Sequence, residues 1–171
     1  THHAQHKRVI YLQGQHIVAS GENGEHKIAL KNIPLTQDGS IYFQIENAMA
    51  AIGAAWALGF DWKVIREGLS SFISDSQTAP GRFNLFNYRN ATLIADYGHN
   101  PDAIQALVSA IDNIPSKKRS VVISAAGDRR DEDIRLQTRI IGDAFDKVVL
   151  YQDQCQRGRA DGEVISLLRE G

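Results

Sequence analysis

Ser120-Val121-Val122-Ile123-Ser124-Ala125-Ala126-Gly127-Asp128-Arg129-Arg130-Asp131 runs from an apolar stretch through a glycine into paired charges. The apolar part reads as a strand of the fully buried type that parallel sheets use. Asp131 to Phe145 then reads as a helix, with Ile134, Ile140, Ile141 and Phe145 inward and acidic residues at its positive end. Strand, charged loop and helix recur on either side. Upstream, Ala91 to Ala95 is a β-rich run, followed by Asp96-Tyr97-Gly98-His99-Asn100-Pro101. Asn100 is placed to cap the next helix and Pro101 to occupy its first turn, where a missing N–H costs nothing. Ile104, Leu107, Val108 and Ile111 form the buried stripe of that helix, and Asn113-Ile114-Pro115-Ser116 ends it. Downstream, Lys147 to Tyr151 is a third strand and Gly162 to Leu168 a last helix, separated by the loop that holds Asp153, Arg157, Gly158 and Arg159. This β-α-β-α-β-α order predicts an α/β, Rossmann-like, mostly parallel sheet with helices on both faces.

The first part of the chain reads differently. Val9 to Leu12, His16 to Ala19 and Lys27 to Leu30 are short β-rich runs, and Glu22-Asn23-Gly24-Glu25 is a hairpin signal, because Asn-Gly accepts positive φ. Ile41 to Ile45 reads as a further strand. Glu46 to Leu58, packed with Ala48, Ala50, Ala51, Gly53, Ala54 and Ala55, reads as a helix pressed closely on a neighbour and stopped at Gly59. Asp61 is placed to cap a short helix with Val64, Ile65, Leu69 and Phe72 buried. Ser74-Asp75-Ser76-Gln77-Thr78-Ala79-Pro80-Gly81 has linker composition, so the expected domains are residues 1–75 and 80–171.

Composition narrows the function classes. The chain has 171 residues, 43% hydrophobic and 23% charged, enough for one good core or two small ones. A formal net charge of -1 carries no nucleic-acid or acidic-membrane signature. No apolar run approaches the roughly 20 residues that span a bilayer, and the first residues lack a signal-peptide layout. Cys155 is the sole cysteine, so an internal disulfide is impossible and a reducing, cytoplasmic setting fits. No local motif marks Cys155 as a nucleophile. Thr1-His2-His3-Ala4-Gln5-His6 has metal-binding side chains, but a frayed terminus is the plainer reading.

Ligand crevices of open α/β sheets lie outside the carboxyl ends of the strands, where all three loops fall. Asp96 could accept ribose hydroxyls or hold a cation, or simply be a turn residue. His99 could hydrogen-bond or protonate near neutral pH, and the helix opening at Asn100 offers N–H groups to an anion. Arg129 and Arg130 present planar forks suited to carboxylate or phosphate, with Gly127 giving a tight exit from the strand. A solvated ion-pair cluster capping the helix is the plainer alternative. Arg157-Gly158-Arg159 repeats the pattern. Arg82, in Pro80-Gly81-Arg82-Phe83-Asn84, sits at the domain junction and could reach a ligand or form an interdomain ion pair.

Three strings in order, Ile45-Glu46-Asn47-Ala48-Met49-Ala50-Ala51, Pro80-Gly81-Arg82-Phe83-Asn84 and Asp96-Tyr97-Gly98-His99-Asn100-Pro101, resemble the Mur ligase family of ATP-dependent amide ligases. The 124–133 and 157–163 segments look most like the Mur-type half of the cyanophycin synthetases. The resemblance implies that residues up to about 75 are the β-rich and helical tail of an ATP-binding central domain, and 80–171 a C-terminal domain. It implies ATP, with Mg2+, as cofactor: Asn47 at adenine, Asp96 at ribose, Arg82 near ribose and phosphates, His99 near the phosphates. It implies that Gly127, Asp128, Arg129, Arg130, Asp131, Arg157 and Arg159 help hold an incoming amino acid. The implied substrates are arginine and a poly-aspartate (cyanophycin) polymer, joined through an acyl phosphate, and a homo-oligomer of the full-length protein is compatible with this. An arginine substrate offers a carboxylate to Arg129, Arg130, Arg157 or Arg159 and a guanidinium to Asp128, Asp131 or Asp153.

Two departures bear on activity. No Gly-x-x-x-x-Gly-Lys-[Ser/Thr] string occurs, so the phosphate-cradling loop and the metal ligands expected beside it are missing, and the 171 residues alone are expected to be inactive. Glycine at position 98, where relatives vary between glycine and alanine, is a neutral change. The competing readings are a peptidoglycan-type Mur ligase, a dipeptide-polymerising relative and, in another class, a non-catalytic binding or assembly module.

Overall fold

The computed structural model describes residues 7–22, 24–154 and 156–171. The chain packs as two compact units, the first running through Asp96 and the second from Tyr97 to Gly171. The readings placed on the N-terminal histidines, Asn23 and Cys155 lie outside the described residues.

In the first unit, β1 (Val9–Gln13), β2 (His16–Gly21) and β3 (Gly24–Ala29) form an antiparallel meander. Gly21 pairs with Gly24, so β2 turns into β3 within two residues, and Gly24 takes φ 107°, a left-handed value that favours glycine. Two short 3-10 turns, Leu30–Asn32 and Pro34–Thr36, lead to helix α1 (Tyr42–Ala57). The strand expected at Ile41 to Ile45 is instead the start of this helix. Ile41, Ile45, Ala48 and Ile52 are all buried, a three-to-four-residue period that a strand cannot satisfy. Small residues do bring α1 close to the sheet: a Cβ on Gly53 would lie 3.4 Å from Ile10, and one on Gly21 would lie 3.1 Å from the Trp56 ring. Ile17, Ile28, Leu30, Ile45, Ile52 and Ile65 centre a single core.

Helix α2 (Trp62–Ser71) begins where expected, with the Asp61 carboxylate accepting from Lys63 N at 2.7 Å. Its buried face is narrower than expected. Ile65 is buried, whereas Val64 and Phe72 stand in solvent, because a ten-residue helix packs only one stripe on the core. Strand β4 (Asn84–Tyr88), which the sequence reading passed over, pairs antiparallel with β5 (Ala91–Ala95) through the two-residue turn Arg89-Asn90.

In the second unit, Asn100 caps α3 (Pro101–Ile111) by accepting from Ala103 N at 2.8 Å. Then β6 (Ser120–Ile123), α4 (Asp131–Ala144), β7 (Lys147–Leu150) and α5 (Glu163–Glu170) follow in order. β6 and β7 pair in parallel, joined by the α4 crossover. Ile134 packs with Ala125, Val164, Leu167 and Leu168, and Ile141 with Ile104 and Ile123. The protein is mixed α/β, and α4 is the beam to which the second unit's strands and helices attach.

Candidate functional site

The first unit gathers one set of polar residues. Pro80-Gly81-Arg82-Phe83-Asn84 is a clasped turn: buried Asn84 accepts from Gly81 N at 2.7 Å and donates to Ala79 O at 3.0 Å. Phe83 takes φ 51°, a left-handed conformation costly for a bulky residue. Two contacts hold it there. Its N–H donates to Asp96 Oδ2 at 2.9 Å, and its ring meets Phe43 of α1 edge-on at 5.5 Å. The Asn84–Ala95 register sets Asp96, the residue after β5, beside the turn that carries Arg82. Asn47 follows Phe43 by one helical turn and donates to Gln44 Oε1 at 3.0 Å. Asn47, Arg82 and Asp96 thus ride on segments linked by the Phe43–Phe83 contact. A cavity of about 390 Å³, lined among others by Gln44, Ile41, Asp75, Phe83, Asn84 and Phe86, opens beside them.

The second unit holds the other set. His99 Nδ1 lies 2.9 Å from Tyr97 O, which favours the tautomer protonated at Nδ1 and leaves Nε2 as acceptor. At the carboxyl ends of β6 and β7 the Gly127–Asp131 and Gln156–Glu163 loops meet. Gly127 is required by close approach rather than by its φ: a Cβ there would collide with the Gln156 carbonyl. Arg157 pairs with Asp128 at 2.7 Å, and this guanidinium holds the Asp128 carboxyl below its usual range. Arg159 donates to Gly127 O, Arg129 O and Glu163 Oε1 and pairs with Asp131 at 2.8 Å. Arg130 turns away, forking onto Asp133 at 2.9 and 2.8 Å as an exposed pair at the start of α4. Arg129 is different again. Its Nε is buried with no hydrogen-bond partner among the described residues, the Asp128 carboxylate lying 3.9 Å away.

The structure therefore brings the two arginine-bearing loops together, and separately brings the turn that carries Arg82 to Asp96 with Asn47 on the adjoining helix. Sequence reasoning missed Glu163, which pairs with Arg159 at 2.6 Å and accepts from Ala160 N at 3.0 Å. Its signal was the four-residue spacing from Arg159 across a helix start. Among the described residues no three His, Cys, Asp or Glu side chains converge to hold a metal ion, and no helix is long and apolar enough to cross a membrane.

Residues 81–170 match the family described as Mur ligase, glutamate ligase domain. A cyanophycin synthetase of Crocosphaera subtropica is 39% identical over 82% of this chain, and one of Geminocystis herdmanii 36% identical over 95%. The chain spans only 16% and 18% of those relatives' lengths. A 2,6-diaminopimelate ligase of Caldanaerobacter subterraneus is 31% identical over 75% of this chain and 26% of its own. The fold matches FolC of E. coli in complex with ADP (TM-score 0.65, 22% identity, 95% of this chain and 36% of that one). It also matches MurF of Acinetobacter baumannii (TM-score 0.61, 21% identity, 94% of this chain and 32% of that one). A match across residues 81–170, more than half the chain, and strands that end in these polar loops make this chain a member of the Mur ligase family.

Proposed function

We propose that this chain is part of an ATP-dependent ligase of the cyanophycin synthetase type, which joins arginine to the side-chain carboxylates of a poly-aspartate backbone. Residues up to about 75 are then the tail of its ATP-binding domain and 80–171 its C-terminal domain, in keeping with a family match that starts at residue 81. ATP, with Mg2+, supplies the phosphoryl group that turns the aspartate carboxylate into an acyl phosphate. The arginine α-amine then attacks the acyl carbon, inorganic phosphate leaves, and the amine gives up a proton.

The residues present fit these tasks. Asn47 presents an amide suited to an adenine edge, Asp96 a carboxylate suited to ribose hydroxyls, and Arg82 a guanidinium suited to phosphate. His99, its ring held at Nδ1 by Tyr97 O, has Nε2 left as the nitrogen suited to a phosphate oxygen. The amino acid is held where the two second-unit loops meet. Asp128, Arg129 and Arg157 offer the charges that meet it, Gly127, Asp131 and Arg159 hold the loops together, and Arg130 stands at the edge on Asp133. One observation carries most of this reading: the buried, unmatched Nε of Arg129 in the Gly127–Asp131 loop. The Arg129 side chain is 37% exposed and its ion pair with Asp128 is long, at 3.9 Å, so the guanidinium can turn to an incoming carboxylate and gain the hydrogen bonds it lacks.

The test is ADP release by the full-length protein. It should require arginine and poly-aspartate together, and Arg129→Ala should raise the arginine KM at least tenfold. Turnover with a muropeptide and diaminopimelate instead would place the protein with the relative from Caldanaerobacter. The 171 residues alone, which contain no phosphate-cradling loop sequence, should hydrolyse no ATP.

A further inference from the structure

Arg159 reaches four partners on two separate stretches of chain, the Gly127–Asp131 loop and the start of α5. Nε donates to Gly127 O at 2.6 Å, one terminal nitrogen to Glu163 Oε1 at 2.6 Å, and the other to Arg129 O at 2.7 Å and Asp131 Oδ1 at 2.8 Å. Its side chain is only 16% exposed. Asp131 opens α4 and Glu163 opens α5, so this cation sits between two helix N-termini. A lone positive charge is disfavoured at such ends, and the two carboxylates reverse the sign of that field. Glu163 is bound a second time, accepting from Ala160 N, so the loop is closed on itself as well as on its neighbour. A guanidinium engaged through all three nitrogens with its own chain has little left for a ligand.

The backbone says the same thing independently. Gly127 lies so close to the Gln156 carbonyl that no side chain fits between them. The Asp128–Arg157 pair adds a more exposed tie at the rim, with side chains 46% and 42% exposed. The two loops thus form one clamped body, and its innermost tie is Arg159.

We propose that Arg159 is a positioning residue: it locks the Gly127–Asp131 loop to the start of α5 and thereby fixes where Arg129 and Asp128 meet the amino-acid substrate, without touching that substrate itself. This deepens the ligase reading and rests on it for the substrate, while the latch stands on geometry alone. Arg159→Ala removes its four ties at once and leaves only the exposed Asp128–Arg157 pair between the charged groups of the two loops. Arg159→Lys keeps the charge and can satisfy one carboxylate, but it cannot span both loops.

The experiment has two arms on the full-length protein. In the first, amide exchange without any ligand is compared between wild type and Arg159→Ala. Exchange should speed up at least tenfold at Arg129, Ala160 and Glu163, whose N–H groups bond within these loops, and stay unchanged in β1–β3. Unchanged exchange at those three amides overturns the latch, whether or not the protein proves to be an arginine ligase. In the second arm, steady-state kinetics with L-arginine are measured for Arg159→Ala, Gly127→Ala and the double variant. Each single change should raise the arginine KM at least tenfold with the ATP KM within twofold. The double variant should be no worse than the worse single one, because both release the same clamp. Multiplicative losses would mean that Arg159 meets substrate directly and would overturn the positioning role. If Arg159→Ala does not accumulate as folded protein, Arg159→Lys is read in both arms, with a threefold threshold in each. Absence of any arginine-dependent turnover in wild type counts against the ligase reading alone and leaves the exchange arm to decide the latch.

Discussion

The two units solve the same problem, fixing polar groups at strand ends, with a different balance of neutral and charged ties. In the first, the turn carrying Arg82 is held mostly by neutral ties, the hydrogen bonds of buried Asn84 and an aromatic contact, with one N–H bond to the Asp96 carboxylate beside them, over a single core of nine buried residues among those described. In the second, the loops carrying Arg129 and Arg157 are held by ion pairs over a core divided into two smaller clusters. Neutral ties are indifferent to pH and salt. Charged ties place cations where an anionic ligand can compete for them, which suits loops that must recognise a charged substrate.

The contrast in cores breaks first under cavity-forming substitutions. Ile52→Ala and Ile134→Ala each empty a fully buried site and should each cost about 2–5 kcal/mol. The pattern of loss should differ. Ile52→Ala should speed amide exchange throughout β1–β3 and α1, because one cluster unites them. Ile134→Ala should act chiefly on α4 and α5, sparing the Ile104–Ile123–Ile141 cluster. Equal loss of protection across α3, α4 and α5 would show that the second unit has one core in practice.

A sharper comparison sets two wholly buried polar residues against each other. Thr36 is satisfied: its hydroxyl lies 2.9 Å from Ile33 O and 3.1 Å from Leu30 O and accepts from Gly39 N at 3.2 Å. Gln137, on the α4 face between Ile134 and Ile141, has neither amide atom hydrogen-bonded among the described residues. Thr36→Val should therefore cost about 1 kcal/mol, the net worth of the lost hydroxyl bonds, since the Gly39 N–H keeps its bond to the Thr36 carbonyl. Gln137→Met should go the other way and stabilise by about 1 kcal/mol, a rise of a few degrees in Tm. A destabilised Gln137→Met would mean that the amide has a partner in solution.

How much of this was legible in the sequence follows the same division. Helix starts were readable at Asp61, Asn100 and Asp131, because a cap or a first-turn charge is a local device. Ile41 to Ile45 misled because Ile-Tyr-Phe-Gln-Ile is rich in β-formers. Only the burial of Ala48 and Ile52 downstream reveals the helical period that overrides them. Strand β4 was hidden because both of its faces are largely exposed, so it lacks the alternation that marks a half-buried strand. The three loops were found from their glycines and charges. What stayed invisible was which arginine binds inward. Arg129, Arg130, Arg157 and Arg159 look alike in sequence, and only distances separate a latch, a surface pair and a cation with an unmatched donor.

Acid should separate the two units most gently. His26 stacks on Trp62 at 4.0 Å; burial and then Arg66 lower its pKa, against a smaller opposing pull from Asp61. A base with a depressed folded pKa is held neutral, so its contribution is present above the unfolded value near 6.5 and is lost as pH falls below it. In the second unit Arg157 depresses Asp128, Arg130 depresses Asp133 and Arg159 depresses Glu163. Those contributions persist through mild acid and fail only as pH drops below the ordinary carboxylate values of 3.8 and 4.5. Between about pH 5 and 6.5, amides of β3 should therefore exchange faster than intrinsic acid effects require, while Arg129 and Ala160 hold. His26→Phe, which keeps the stack without the titration, should abolish the first effect. If β3 remains acid-sensitive in that variant, the sensitivity comes from another group and the contrast between neutral and charged ties loses its cleanest marker.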